Sequence, residues 1–169
     1  MLVYAPLLGD AKEELGGRSS LCSWPKRNRH ITSNKIGKPM RPNHKMNRDS
    51  DEIWNRACGF GSCPGPGDKA LTDMLSFHGV AMNGGVLHAL QIEDRAAIDA
   101  AISGYACFGF SEVSDFIDKA ATTILSDFDA DELEPKLDKA YGELIPDDST
   151  LDTRFEATLL VRPKDFAAV

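Results

Sequence analysis

From Asp49 to Phe166 the apolar residues recur at intervals of three and four, in runs cut by glycine, proline or aspartate. That spacing is the period of a helix with one buried face, and no segment shows the strict alternation of a half-buried strand. The chain is therefore expected to fold as an all-α bundle of five or six short helices, without a repeat of fixed period. About 115 residues of this kind bury roughly two-thirds of their unfolded surface.

The helix ends follow from local chemistry. Asp49-x-x-Glu52 predicts a capped start for a helix through Ile53, Trp54 and Ala57, and GFGSCPGPG (59–67) stops it. Asp68 is the expected cap of the next helix, which carries Leu71, Met74, Leu75 and Val80-Ala81-Met82 up to Asn83. In AMNGGVLHAL (81–90), Asn83 or Gly84 is expected in the left-handed conformation that ends this helix, with Gly85 letting the next one pack closely. Val86 to Leu90 reads as a short apolar turn, with His88 packing at it.

A helix opening at Glu93-Asp94 aligns Ala97, Ile98, Ala101, Ile102 and Tyr105 and ends near Phe108-Gly109, with the glycine just past its end. Ser111 is expected to cap the next, whose buried face is Val113, Phe116, Ile117, Ala120, Ile124 and Leu125. Proline disfavours helix at the residue before it and suits the first helical position, so the following helix is expected to begin at Pro135, with 129 to 134 as a separate turn. Its face is Leu137, Tyr141, Leu144 and Ile145. Asp147 or Asp148 caps a last helix with Leu151, Phe155, Thr158 and Leu159, ending before Arg162-Pro163.

Charge divides the chain differently. Residues 1 to 50 hold ten Lys/Arg against four Asp/Glu, and residues 51 to 169 hold nine against twenty-two. No acid lies between Leu15 and Arg48, and Pro25, Pro39 and Pro42 interrupt any apolar period. Residues 1 to 48 are expected to be a disordered basic segment, and 49 to 169 an acidic helical domain. The stretch PKRNRH (25–30) suits nucleic acid or the chain's own acidic part; the alternatives are a solvated tail or a start placed too early, with Met40 and Met46 as internal starts. MLVYAPLL is too short for a membrane span or secretory signal, and four cysteines without an export signal read as reduced thiols. The expected location is cytoplasmic, with no membrane partner.

Candidate chemistry is sparse. Cys58-x4-Cys63 with His78 and His88 offers zinc-ligand types, but the histidines are too far apart for a finger or ribbon, so no metal and no cofactor are expected. Cys107 reads as a buried inert thiol, and no nucleophile-elbow, zincin, P-loop or dinucleotide motif occurs. An enzyme or ligand-binding protein with a pocket near His78, His88 and Cys63 is the alternative reading; no catalytic residue is assigned. The glycines of GPG and NGG lack the strand and lysine of a phosphate cradle and read as turns.

The acidic helices remain. Asp148, Asp152 and Glu156 fall at i, i+4 and i+8, without a lysine or arginine three or four residues from either of the last two. Like charges at that spacing repel by a few tenths of a kcal/mol, roughly. Glu112, Asp115 and Asp118 form a second row, relieved in part by Lys119. A solvated face explains such rows. The functional reading is that carboxylates one turn apart present a basic protein with a charge pattern like that of duplex phosphates.

Residues 66 to 166 also resemble a family of small helical bacterial proteins of unknown function that includes a DNA mimic acting on a transcription factor. The resemblance lies in Asn83-Gly84-Gly85 followed by an apolar residue and short helix, in GYACFGF (104–110), and in RFEATLLVRPKDF (154–166). His88 departs from the family pattern, which has glutamine there. The resemblance implies a helical, non-enzymatic, acidic protein, and fold alone does not transmit the mimic activity. The expected function is binding of a basic protein surface, that of a DNA-binding protein included, through Asp148, Asp152 and Glu156 first and Glu112, Asp115 and Asp118 second. Direct binding of nucleic acid by the acidic domain is not expected.

Overall fold

Seven α-helices and a closing 3-10 turn account for nearly all of the chain described by the computed structural model, which covers residues 44–59, 63–124 and 129–169, with side chains from Asp49 onward. They are α1 (His44–Cys58), α2 (Pro66–Gly84), α3 (Val86–Ile92), α4 (Arg95–Cys107), α5 (Ser111–Ile124), α6 (Ala130–Leu144) and α7 (Asp148–Val161), with the turn at Pro163–Asp165. No strand occurs among the described residues, and the all-α expectation holds. The basic segment expected as disordered, and Leu125, lie outside the described residues, except that α1 begins inside that segment at His44.

α2 is the central element, packed against α1, α3 and α4 and touched by the 3-10 turn. Its contact with α4 is close because Gly104 has no side chain: a Cβ there would stand 2.6 Å from the Ala70 carbonyl oxygen and 3.1 Å from the Met74 nitrogen. Around this crossing Leu71, Met74, Leu75 and Phe77 of α2 and Ile98, Ala101 and Tyr105 of α4 are buried. Each large apolar side chain withdrawn from water contributes about 1.5–3 kcal/mol against the entropy of ordering the chain. α5 packs on α4 and α6, and α6 on α3. Just past the C-terminal end of α4 the rings of Trp54, Phe108, Phe155 and Phe166 meet in tilted and edge-to-face contacts, with Phe155 5.6 Å from Trp54 and 5.7 Å from Phe166 between centroids. That cluster joins α1, the end of α4, α7 and the C-terminal tail.

The α4 stop forms as its sequence predicts. Gly109 has φ +79°, its N–H donates to the Ala106 carbonyl at 3.0 Å, and the Phe110 N–H donates to the Tyr105 carbonyl at 2.9 Å. This is a Schellman motif, completed by the Tyr105 and Phe110 rings at 6.1 Å. Asp94 and Asp147 cap α4 and α7 through Ala97 N–H and Thr150 N–H.

Elsewhere the boundaries differ from those expected. Asp49 lies inside α1, because nothing after Pro42 obliges a helix to stop short of His44. Asp68 is not a cap: Gly65 is, with Pro66 in the first turn, and Asp68 is buried. Its Oδ1 accepts from Arg56 Nε at 3.1 Å and Nη2 at 2.5 Å, while Oδ2 accepts from the Ala167 N–H at 2.8 Å. Gly67 allows this closure, since a Cβ there would meet the Phe166 ring at 2.8 Å.

At the Asn83-Gly84-Gly85 joint, Asn83 and Gly84 stay helical and Gly85 alone takes positive φ, at φ +88° and ψ 159°. Asn83 Nδ2 donates back to the Gly79 carbonyl at 2.7 Å, and the His88 ring lies where a Gly84 Cβ would go. Val86 to Ile92 forms a helix, the seventh against the six at most expected, because the Val86 N–H finds Asp138 Oδ1 of α6 at 2.8 Å. α6 itself begins at Ala130, not Pro135: Asp129 caps it by accepting from the Asp131 N–H at 3.0 Å, and Asp131 and Glu132 complement the dipole of its first turn. Pro135 then removes one ladder bond inside the helix.

Candidate functional site

Three of the six candidate carboxylates project from α5. Glu112, Asp115 and Asp118 are all exposed. Arg95 of α4 donates to Asp118 at 3.1 Å and pairs with Asp99 at 2.9 Å, which holds the two carboxylates beside one guanidinium. Those hydrogen bonds, Asp118's first, raise the Arg95 pKa. The relief expected from Lys119 is thus supplied across the helix pair by Arg95; among the described residues no Lys119–Asp115 ion pair forms.

The α7 row is divided by the fold. Asp152 and Glu156 are half-buried, while Asp148 keeps 59% of its side chain exposed. Asp147 caps α7 and is held below the ordinary carboxylate pKa, first by the Ser149 hydroxyl. The cap places Asp148 in the opening turn, where its Oδ1 lies 3.2 Å from His78 Nε2.

His78 is wholly buried on α2, and its other nitrogen, Nδ1, lies 2.7 Å from Tyr141 Oη of α6. Tyr141 Oη is in turn 2.6 Å from Tyr105 Oη of α4. One arrangement of hydrogens satisfies all three contacts. The Nε2–H donates to the Asp148 carboxylate, Tyr141 donates to Nδ1, and Tyr105 donates to Tyr141. Burial lowers the His78 pKa, more than the neighbouring Asp148 raises it, so the ring is neutral at neutral pH. Burial likewise raises both tyrosines, Tyr105 far above its ordinary value. The result is a polar chain running from the centre of the α2–α4 crossing out to a solvent-facing carboxylate.

Tyr105 and Tyr141 were legible only as core residues. The available signal was their hydroxyls: a buried tyrosine needs a hydrogen-bond partner, and His78 lay on another apolar face.

The histidines and Cys63 are not gathered into one pocket. His78 is enclosed, His88 is exposed over Gly84, and Cys63 Sγ donates to Thr72 Oγ1 at 3.3 Å, about six residues, or roughly 9 Å of helix axis, before His78. A shallow cavity of about 280 Å³ instead lies between α2 and the start of α4, with Phe77, Ala97 and Ala100 inside and Lys69, Asp73, Glu93 and Asp94 at its edge. The Lys69–Asp73 ion pair, at 2.6 Å, spans that edge. Cys107 is half-buried, with Arg162 Nη2 3.3 Å from its sulfur and 2.6 Å from its carbonyl oxygen. Among the described residues no three His, Cys, Asp or Glu side chains are grouped to hold a metal ion, and no helix is long and apolar enough to cross a membrane.

No family model, curated protein or solved structure matches the chain.

Proposed function

We propose that this is a cytoplasmic, non-catalytic helical protein that binds a basic protein surface through Glu112, Asp115 and Asp118 of α5, with Asp99 of α4 beside them. The observation that carries this reading is the exposure of all three α5 carboxylates at i, i+3 and i+6, within about a third of the helix circumference. Glu112 and Asp115 have no ion-pair partner among the described residues, and one guanidinium serves both Asp99 and Asp118. The face therefore keeps a negative charge.

The rest of the surface adds to the field. Lys69, Lys136, Lys139 and Arg162 are each paired with a carboxylate, so few cations offset the excess of acids in residues 51 to 169. A surface that binds nucleic-acid phosphates is the complement of such a row, and the protein then acts as a DNA mimic toward a DNA-binding protein. The resemblance of residues 66 to 166 to the DNA-mimic family belongs to this proposal. Asp148 extends the acidic surface at the start of α7, while the half-buried Asp152 and Glu156 contribute long-range field rather than contacts.

The test is binding of the full chain to its partner, captured at low salt and identified by mass. Substitution of Asp115→Lys together with Asp118→Lys is expected to abolish capture and leave the helical circular dichroism unchanged. Capture that survives both the double substitution and a high-salt wash overturns the reading.

A further inference from the structure

The cavity between α2 and the start of α4 lies beside the acidic face and is not part of it. We propose that this cavity is a seat for one lysine side chain of the basic protein that the acidic face binds. The identity of the partner rests on that reading of the face; the lysine chemistry comes from the cavity itself.

At about 280 Å³ the cavity falls below the range of about 300–1,000 Å³ in which cofactors and drug-sized ligands are held, and it has room for a single extended side chain. Ala96, Ala97, Ala100 and the buried Phe77 supply its apolar lining. Its polar edge is charged: Asp73, Glu93 and Asp94 set three carboxylates against one ammonium, that of Lys69. Lys69 is already engaged with Asp73 at 2.6 Å, and Asp94 caps α4 by accepting from the Ala97 N–H at 2.7 Å. The first turn of α4 offsets about half a charge. The edge therefore stays negative and favours a cation over an anion.

An apolar lining with a charged edge suits a side chain whose stem is hydrocarbon and whose tip is an ion kept in water. Lysine fits this better than arginine. The carboxylates come from α2 and from the joint of α3 and α4, so they converge on a point charge with three rotatable donors, whereas the planar guanidinium fork is shaped for one carboxylate. The seat is continuous with the acidic face. Ala96 at the cavity and Asp99 beside the α5 row are both exposed and stand three residues apart on α4, as neighbours on one helix surface.

The experiment titrates the isotope-labelled full chain with N-acetyl-lysine amide and follows the backbone amides by NMR. Saturable shifts are expected at Ser76, Ala97 and Ala100, and are expected to weaken as salt rises. N-acetyl-norleucine amide, which has the stem without the charge, is expected to bind about fivefold more weakly or less. Ala100→Leu fills the cavity and is expected to abolish the shifts, and Glu93→Gln at the edge is expected to weaken binding about two- to fivefold. The seat is overturned if the lysine probe gives no saturable shift, if the norleucine probe binds as well, if the shifts centre on Glu112 and Asp115, or if neither variant alters binding. The seat and the acidic face fail separately. Partner capture that is lost in the Asp115→Lys, Asp118→Lys variant but unchanged in Ala100→Leu keeps the face and overturns the seat. Capture that survives those α5 substitutions, with the lysine probe still shifting Ala97 and Ala100, keeps the seat and overturns the face.

Discussion

His78 Nδ1 and Tyr141 Oη, 63 residues apart in the chain, meet at 2.7 Å in the core and join α2 to α6 through one hydrogen bond. Both nitrogens of the ring are engaged, and the second tyrosine continues the chain inward. The packing around them is aromatic, with Phe77 6.4 Å from both tyrosine rings. A polar chain in such surroundings is stable only while each member has its partner.

Tyr141→Phe is expected to destabilise the fold by about 1–3 kcal/mol, because it removes the hydroxyl that bonds His78 Nδ1 and leaves the buried Tyr105 hydroxyl without its acceptor. Tyr105→Phe, at the closed end of the chain, removes one donor and orphans no hydrogen. It is expected to cost less. Urea midpoints of the two variants give the order, and equal losses would contradict the directional chain.

Stability is expected to fall as pH drops below about 6.5. The folded-state pKa of His78 lies under its ordinary value of 6.5, so the unfolded chain takes up a proton that the folded one refuses. The slope ends once the folded ring also protonates. Asp147 adds a second decline at lower pH: its depressed pKa contributes stability above the ordinary 3.8, lost as pH falls through its folded value. Denaturation midpoints measured across pH, repeated with His78→Gln, separate the two limbs. An unchanged upper limb in that variant would assign it elsewhere.

Asp68→Ala is expected to cost about 3 kcal/mol or more. The substitution strips the carboxylate from the Ala167 N–H and from Arg56, whose other acceptor is the Ala167 carbonyl at 3.3 Å, and it loosens the tail that carries Phe166 over Gly67. Amide exchange in residues 163–169 should quicken before global unfolding. Protection that stays at the wild-type level would show that the ring cluster alone holds the tail.

Two helix glycines are expected to respond in opposite directions. Gly104→Ala forces a methyl into the α2–α4 crossing, 2.6 Å from the Ala70 oxygen, and is expected to cost about 1–3 kcal/mol. Gly142→Ala, with nothing within 4 Å of the added Cβ, is expected to gain about 0.5–1 kcal/mol from helix propensity. Thermal melts of the pair test both the sign and the packing.

The helices were legible in the sequence because burial of one face imposes a period of three and four, and the caps Asp94, Asp147 and Gly109 act through bonds within a few residues. Asp68 and Val86 were misread because their partners lie far away in the chain, and Pro135 for a local reason. Asp68 takes its partners from Arg56 and Ala167, and α3 takes an acceptor from Asp138. At Pro135 the cap five residues upstream of Glu134, at Asp129, outweighed the local preference of proline.

The candidate site divides along the same line. The carboxylate rows on α5 and α7 could be read from helical spacing, but spacing gives the angle around one helix and says nothing of what covers it. Tertiary packing left Glu112, Asp115 and Asp118 in water, drew Asp152 and Glu156 partly under, and turned Asp148 toward His78. The sequence alone determined the helical class, the local helix stops and the excess of negative charge, since each depends on residues close in the chain or on composition. Only the tertiary structure decided which polar groups meet, because a hydrogen bond is fixed by distance in space, and His78, Tyr105, Tyr141 and Asp148 come from four different helices.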